Sequence, residues 1–393
     1  MADYELSAPL DTDYYGIFED VPAEDRAAWM RARSFINEVL PEVNEAWDKA
    51  EYPLRWARRL GELDLLNDGV VGEGLNTISP LAAGLVSMEL SRGDGSIGTI
   101  LGVQAGLALR TIAMHGSPEQ KARWLGPLSR GEELGAFALT EPEHGSDSVS
   151  LKTQAVRDGD GWIINGQKKW IGNGSVGDVT ITWARDEEGN VRGFLVPQDT
   201  PGYTATTITG KVSLRAIHQA LITYSNVRVP DSALLPGART FADTAKILYA
   251  TRLGVAWGAL GHALALYEAA LTYAKQRVQF GKPLASFQMV QERLTEMLTD
   301  LTSMQLHCLT LTRRDAAGTI TPTQASLAKY HNTRTARRIA QTARDLLGGN
   351  GILLEHHVIR HFADIEALHT YEGTESVQAL LVGRDITGKG AFT

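Results

Sequence analysis

The sequence predicts a mainly α-helical protein with a small antiparallel β domain at its centre, and three changes of hydrophobic period predict it. From about 20 to 135, apolar residues recur three and four apart, as in EDRAAWMRARSFINEVLPEV and SPLAAGLVSMELSRGDGSIGTILGVQAGLAL. That spacing places them on one face of a helix. From about 136 to 236, short runs alternate apolar and polar residues and are broken by turn residues. From about 238 onward the helical period returns in long segments. The expected domains are 1–135, helical; 136–236, β; and 237–393, an antiparallel helical bundle.

Each element has its own signal. In the middle region DGDG, NGQ, GNGS and DEEGN read as turns between the strands WIIN, DVTITWA, RGFLVP and ALITYSNVRVP. In the last region Phe287, Val290, Leu294, Met297, Leu298, Leu301 and Met304 form one stripe to be buried. A further helix starts at Pro322, a residue suited to a first turn, and runs to Leu347, where GGNG supplies the stop. Near the C-terminus, in HTYEGTESVQALLVG, the Thr374 hydroxyl can cap the helix that follows and Gly373 frees the bend. Neither needs Glu372 beside it, so that carboxylate is either a solvated loop charge or a placed reagent.

Composition removes whole classes of function. A formal charge of -8 argues against nucleic acid as the main partner, because phosphate binding wants a basic surface. The single Cys308 leaves no internal disulfide and no thiolate zinc cluster, and its apolar surroundings in MQLHCLTLT mark a buried structural thiol. The acidic start lacks the basic and apolar parts of a signal peptide, and GKGAFT matches no organelle address, so a cytoplasmic protein is expected. The longest apolar stretch considered, around Leu253 to Leu271, is broken by His262 and Glu268, which argues against a membrane span.

Several motifs fail their own context. LGGNG follows a helix rather than a strand, so it is no dinucleotide fingerprint. His356, His357, His361 and His369 cluster near Glu355, Asp364 and Glu366, but HHVIRH lacks the internal glutamate of a zinc protease helix, and no metal is expected. No GxSxG elbow is present. Two strings remain: FALTEPEHGSD from Phe137 to Asp147, and KKWIGNGS from Lys168 to Ser175. Exposed amides beside an indole suit a planar, polar-edged cofactor; a well-made turn with a core tryptophan is the other reading.

Taken together, LTEPEHGSD, KKWIGN, LPGA, ATRLGVAWG, QRVQFGKPL, LGGNG and TYEGTES run in order along nearly the whole chain. This set resembles the acyl-CoA dehydrogenase family, in particular its glutaryl-CoA dehydrogenase-like branch, and is also similar to short-chain acyl-CoA oxidases. The resemblance implies an N-terminal helical domain, a middle β-barrel domain and a C-terminal four-helix bundle. It also implies FAD, an acyl-CoA substrate oxidised to the trans-2-enoyl-CoA, electron-transferring flavoprotein as partner, and a homotetramer. In that family a glutamate takes the α-proton while the β-hydride passes to the flavin, and the matching residue is Glu372.

Carried over position by position, the resemblance implies that Phe137, Leu139 and Thr140 line the flavin edge and that Ser146 lies near the pyrophosphate and the CoA chain. Trp170, Ile171 and Gly172 resemble the segment flanking the flavin ring, and Arg277, Phe280, Gln288, Asp345, Gly348 and Gly349 the residues that reach the FAD of a neighbouring subunit. Thr374, Ser376 and Phe392 are further FAD positions, and Arg252, Gly373, Gly98 and Thr99 substrate positions; Leu101, Leu253 and Leu368 are candidates for the pocket floor.

Two departures bear on specificity. Glutaryl-CoA dehydrogenases hold the distal carboxylate with an arginine, preceded by a glutamate, where this chain has Gly98 and Ser91. A buried carboxylate without that cation costs several kcal/mol, so a monocarboxylic acyl-CoA of short or medium length is expected, with Arg92 the one nearby cation that could substitute. WIGN replaces the more usual WITN, so Gly172 lacks a hydroxyl; the same string in short-chain oxidases leaves oxygen as the alternative electron acceptor. Thr251 occupies the place where other branches put the base, and it is not acidic.

Overall fold

A computed structural model of the chain describes residues 12–391. Phe392 lies outside the described residues. The N-terminal region consists of α1 (Ala23–Lys49), α2 (Arg55–Glu62), α3 (Pro80–Gly93), α4 (Gly95–Leu101), α5 (Arg110–His115) and α6 (Pro118–Ser129). Caps fix several starts: the Ser79 hydroxyl accepts from the amide of Ala82 with Pro80 in the first turn, and Asp94 accepts from the amide of Ser96. Between α4 and α5 the chain widens into a π-helical segment, Gly102–Leu109. The continuous stretch Gly95–His115 is long and apolar enough to cross a membrane by length and composition. Slightly more than half of its most apolar window is buried, as in a core helix; Leu253–Leu271, the stretch expected to be the longest apolar one, does not meet that test.

The middle region contains β1 (Gly135–Ala138), β2 (Gln154–Asp158), β3 (Gly161–Gly172), β4 (Val179–Arg185), β5 (Val191–Pro197), β6 (Tyr203–Thr207) and β7 (Gln219–Pro230). They form one sheet in the order β1-β4-β2-β3-β7-β6, with β5 on the free side of β4. Two details correct the sequence reading. The pairs β2–β3, β3–β7, β4–β5 and β6–β7 are antiparallel as expected, but β1 runs parallel to β4, and β2 meets β4 in parallel at Gln154 and Arg185. No tight hairpin joins β1 or β2 to β4, so turn geometry does not impose the direction of those two pairings. NGQ is not a turn: Gly166 sits inside β3 at a register shift, with φ +148°, where an added Cβ would lie 2.6 Å from Thr153 Oγ1.

The remainder is α7 (Phe241–Gln276), a short hairpin of β8 (Val278–Gln279) and β9 (Lys282–Pro283), α8 (Gln288–Ala316), α9 (Pro322–Leu346), α10 (Val358–Thr370) and α11 (Glu375–Thr387). The α8 stripe buries Leu294, Met297, Leu301 and Met304 as the spacing requires. Thr321 caps α9 in a capping box with Gln324. Cys308 is fully buried and receives a hydrogen bond from Asn332 Nδ2 at 3.2 Å. Helix α7 is apolar on most of its surface and packs against α3, α8, α9 and α10, which makes it the axis of the molecule.

Candidate active site

Helix α10 stops at Tyr371, whose amide donates to Ala367 O at 2.9 Å, and Thr374 caps α11 by accepting from the amide of Val377 at 3.3 Å. Between them Glu372 and Gly373 both take left-handed backbone, with φ +53° and +87°. A non-glycine residue there is strained, a condition that persists only where surrounding contacts impose it. Those contacts are visible. Gln378 Nε2 donates to the carbonyls of Glu372 and Gly373, each at 3.0 Å, and the buried Lys329 ammonium donates to the carbonyls of Tyr371 and Gly373. An added Cβ at Gly373 would lie 2.5 Å from Gln378 Nε2, so the glycine also admits the residue that holds the bend.

The Glu372 carboxylate turns toward α7, where Thr251 Oγ1 donates to its Oε2 at 2.7 Å. Thr251, not acidic itself, thus holds the Glu372 carboxylate through its hydroxyl. Burial raises the Glu372 pKa above the ordinary carboxylate value, against the Thr251 hydrogen bond and the cations Lys329 and Arg252. Lys329 moves the opposite way: burial depresses it, and the Glu372 charge partly restores it.

Around this carboxylate the structure gathers several predicted positions. Thr99 lies beside the Tyr371 hydroxyl, and its own hydroxyl donates to Gly95 O at 2.8 Å. Arg252, one residue past Thr251, donates to Ser326 Oγ at 2.9 Å and stacks over Tyr249, while its buried Nε finds no protein partner. It borders an open cavity of about 310 Å³ that also meets Thr323, Leu381 and Arg384. Gly98 and Ser91 are neighbours: an added Cβ at Gly98 would lie 2.2 Å from Ser91 Oγ. Leu101, Leu253 and Leu368 are buried, and the Leu368 side chain packs toward Gly258, which also faces Ser91. Arg92 is not available as a substitute cation. Its guanidinium is fully buried, bonds Glu268 through Nε at 2.9 Å and Nη2 at 2.6 Å, and lies 3.4 Å from Glu89.

The two β-domain strings meet through main chain and one buried ion pair. The Lys169 amide donates to Thr140 O at 2.9 Å, and Lys168 Nζ donates to Leu139 O at 3.0 Å and Glu141 Oε1 at 2.9 Å. Burial alone would raise Glu141, but Lys168, Thr153 and the amides of Lys152 and Thr153 override it and hold its pKa at about 2. Phe137, Leu139 and Ile171 are buried, Thr140 is half-buried and Ser146 is exposed. Trp170 stands out: φ is +68° and the residue is 54% exposed, unusual for a tryptophan. Next to it, an added Cβ at Gly172 would lie 2.7 Å from Val103 Cγ2 of the π-helical segment. The missing hydroxyl of WIGN therefore has a steric counterpart in Val103.

A second set lies far away. Thr251 is near the start of α7 and Arg277 just past its end, 26 residues on, which is about 39 Å along the axis at 1.5 Å per residue. Around that end Arg277, Phe280, Gln288, Asp345, Gly348 and Gly349 are all exposed, Phe280 to 92% in left-handed backbone. Thr374 is half-buried and Ser376 exposed beside the Glu372 bend, so one chain carries two separate groups of the expected cofactor positions. Sequence reading missed Lys329, Gln378, Val103, Asp68 and the Lys168–Glu141 pair. Lys168, Glu141, Val103 and Gln378 lie inside strings quoted above, but nothing in the strings shows which residues they meet.

Three family models cover the chain: the N-terminal domain of acyl-CoA dehydrogenase over residues 22–132, its middle domain over 136–227 and its C-terminal domain over 241–387. The mitochondrial short-chain specific acyl-CoA dehydrogenase of Bos taurus is 33% identical over 389 residues, 95% of this chain and 92% of that protein. A glutaryl-CoA dehydrogenase from Mycobacterium smegmatis superposes with a TM-score of 0.94 at 43% identity, covering 96% of this chain and 98% of that one. Another from the same organism, in complex with FADH2, gives 0.93 at 38% identity, with the same coverage. Three domains in order, a strained and gripped glutamate before α11, and relatives that match almost end to end lead to one conclusion: the chain belongs to the acyl-CoA dehydrogenase family, a family of oxidoreductases.

Proposed function

We propose that the protein is an FAD-dependent dehydrogenase of short- or medium-chain monocarboxylic acyl-CoA, forming the trans-2-enoyl-CoA and passing electrons to electron-transferring flavoprotein. The observation that carries it is the Glu372 carboxylate, held by Thr251 at 2.7 Å and made more basic by burial. A thioester α-proton is too weakly acidic for an ordinary carboxylate in water, and a base tuned upward is better matched to the task. The residues present fit FAD: exposed Trp170 offers a ring face, and Gly348 and Gly349 leave open space at the far end of α7. Bound FAD would supply the acceptor for the hydride that leaves the β-carbon. The chain's own residues take the α-proton on Glu372, hold that carboxylate with Thr251, and fix the bend with Lys329 and Gln378. The distance between the two cofactor groups supports a site completed by a second copy, and a homotetramer in the cytoplasm is the assembly and place we propose.

Monocarboxylic specificity rests on Gly98, Ser91 and Arg92. The first two are small and in contact, and the third is already committed to Glu268 and Glu89. Among the described residues, Arg92 beside these two is already paired and offers a distal substrate carboxylate no free charge. Glutaryl-CoA is the second reading, favoured by the 43% identity to a glutaryl-CoA dehydrogenase. One experiment separates them. Anaerobic bleaching of the flavin band is expected with butyryl- or hexanoyl-CoA and not with glutaryl-CoA, and release of carbon dioxide from glutaryl-CoA would overturn the monocarboxylic reading. Stoichiometric hydrogen peroxide in air would replace the flavoprotein acceptor with oxygen. Glu372→Gln is expected to slow bleaching by roughly 10²- to 10⁴-fold, the usual share of a general base, while FAD and CoA-ester binding persist.

A further inference from the structure

Next to the base stands a second carboxylate that no motif marks. Asp68 lies in the loop between α2 and α3 with left-handed backbone, φ +51°. Arg110 clamps it, donating from Nη2 to Asp68 O at 2.7 Å and to Oδ2 at 3.0 Å, and anchoring its own Nε on Gly106 O at 3.2 Å. Its side chain is only 14% exposed. Two glycines leave the space between this group and Thr251 free of side chains. An added Cβ at Gly106 would lie 3.1 Å from Asp68 Oδ2 and 3.4 Å from Thr251 Cγ2, so the carboxylate and the threonine flank one point. At Gly254, one turn beyond Thr251, an added Cβ would have only Asp68 Oδ1 near it, at 4.0 Å, although α7 is otherwise a core helix. That open space adjoins Thr251, whose hydroxyl grips Glu372.

We propose that Asp68, clamped by Arg110, is a positioning residue of the reaction: its negative charge faces the Thr251–Glu372 pair across the Gly106–Gly254 space and keeps Glu372 a strong base. The inference rests on Glu372 being the base. The charges facing Glu372 are Lys329 on α9 and Arg252 on α7, both cationic, and Asp68; Tyr371 precedes it and Thr251 is neutral. The two cations stabilise the ionised carboxylate and so weaken it as a base. Asp68 works in the opposite direction, and the flanking glycines keep a side chain from being inserted between it and Thr251. Asp68 itself is raised by burial and drawn back down by Arg110, with Asp315 a further anionic neighbour. Arg110 is thus needed for Asp68 to carry its charge.

The test compares Asp68→Asn and Asp68→Glu in the FAD-loaded protein. For Asp68→Asn the acid limb of the bleaching rate against pH is expected to move down by on the order of one pH unit, as loss of a like charge demands, with a several-fold lower plateau. Asp68→Glu is expected to restore the acid limb, and thermal stability and FAD retention should stay near the parent. Infrared difference titration of the carboxylate, parent minus Glu372→Gln, reads Glu372 directly and should show the same downward shift without turnover. An unmoved Glu372 titration in Asp68→Asn overturns the proposal, as does a rate loss that tracks FAD loss with the acid limb in place. Should Asp68→Asn fail to fold, Asp68→Ser carries the same expectation. If Glu372→Gln bleaches normally, it is the base assignment that fails, a result distinct from any of these.

Discussion

Restoring the family's threonine at Gly172 should damage this protein, and the reason can be measured. An added Cβ at that position lies 2.7 Å from Val103 Cγ2 and 3.2 Å from Cγ1, well inside ordinary van der Waals contact. Val103 has little freedom to withdraw, because a β-branched side chain in a helix is confined to one strongly preferred rotamer. Overpacking of this kind costs about 1–3 kcal/mol, so Gly172→Thr alone is expected to lower stability by that amount and to weaken FAD retention beside Trp170. Val103→Ala removes both methyl groups and loses up to about 1.6 kcal/mol of burial at 0.8 per carbon, less here because Val103 is only half-buried. The double variant should then be more stable than the sum of the singles, with a coupling of about 1–2 kcal/mol, inside the range for contacting residues. Denaturant midpoints of the FAD-loaded protein, with bound flavin quantified in each variant, measure the cycle. Single effects that add to within about 0.5 kcal/mol would refute the steric account and leave Gly172 unconnected to Val103.

Further predictions concern buried charge. Lys168→Met leaves Glu141 without its cation, and breaking such a pair costs about 3–5 kcal/mol; urea midpoints of the middle domain should fall accordingly, and a change below about 1 kcal/mol would place the pair among solvent-screened contacts. The histidines give the acid limb of stability. Burial depresses His262 to about 3 and His357 to about 3. The unfolded chain takes up protons near 6.5, so stability is full above that pH and is lost as pH falls from there toward about 3. His262→Gln should flatten that limb in a pH series of denaturant midpoints, and an unchanged slope would mean that the ring is already protonated in the fold. Asp364 has the opposite sign. Burial and Asp94 raise it, so its contribution is present at low pH and lost as pH rises through the raised value.

The periods of the sequence reveal the helical, β and helical order because each element buries a face whose spacing is local. The same holds for Thr374, whose capping role needs only the residues that follow it. Glu372 was legible as a base only through resemblance, since YEGT by itself supports a loop charge equally well. Its strained backbone was not legible: φ is set by Lys329 and Gln378, which bond the carbonyls around it from α9 and α11. Nor was the direction of β1, which depends on its packing with β4 rather than on a turn. Gly172 was visible as a departure, but its meaning needed Val103, 69 positions earlier in the chain.

The buried polar knot at the junction of the three regions shows most clearly what local pattern leaves out. Asp364, on the helix that delivers Glu372, accepts from the Leu214 amide at 2.6 Å in the β6–β7 connection and from Trp47 Nε1 at 3.1 Å on α1. Arg360, one turn earlier, pairs with Asp94 at the start of α4, and His361 shares a hydrogen with His262 of α7 at 2.8 Å. The histidines and acids that cluster in the sequence between Glu355 and His369 are divided in the fold. His361, Asp364 and Arg360 face inward as structural partners, whereas Glu366 turns outward to bond Arg337 at 2.8 Å. Trp47 and Asp364 are 317 positions apart, so no window on the sequence contains both. Yet a fully buried carboxylate is costly unless such donors reach it. Removing either donor would be felt first in how α10 is seated, and through α10 in where Glu372 is held. The proposed base is local to a four-letter motif, whereas the contacts that seat it and its helix reach α1, the β6–β7 connection, α7, α9 and α11.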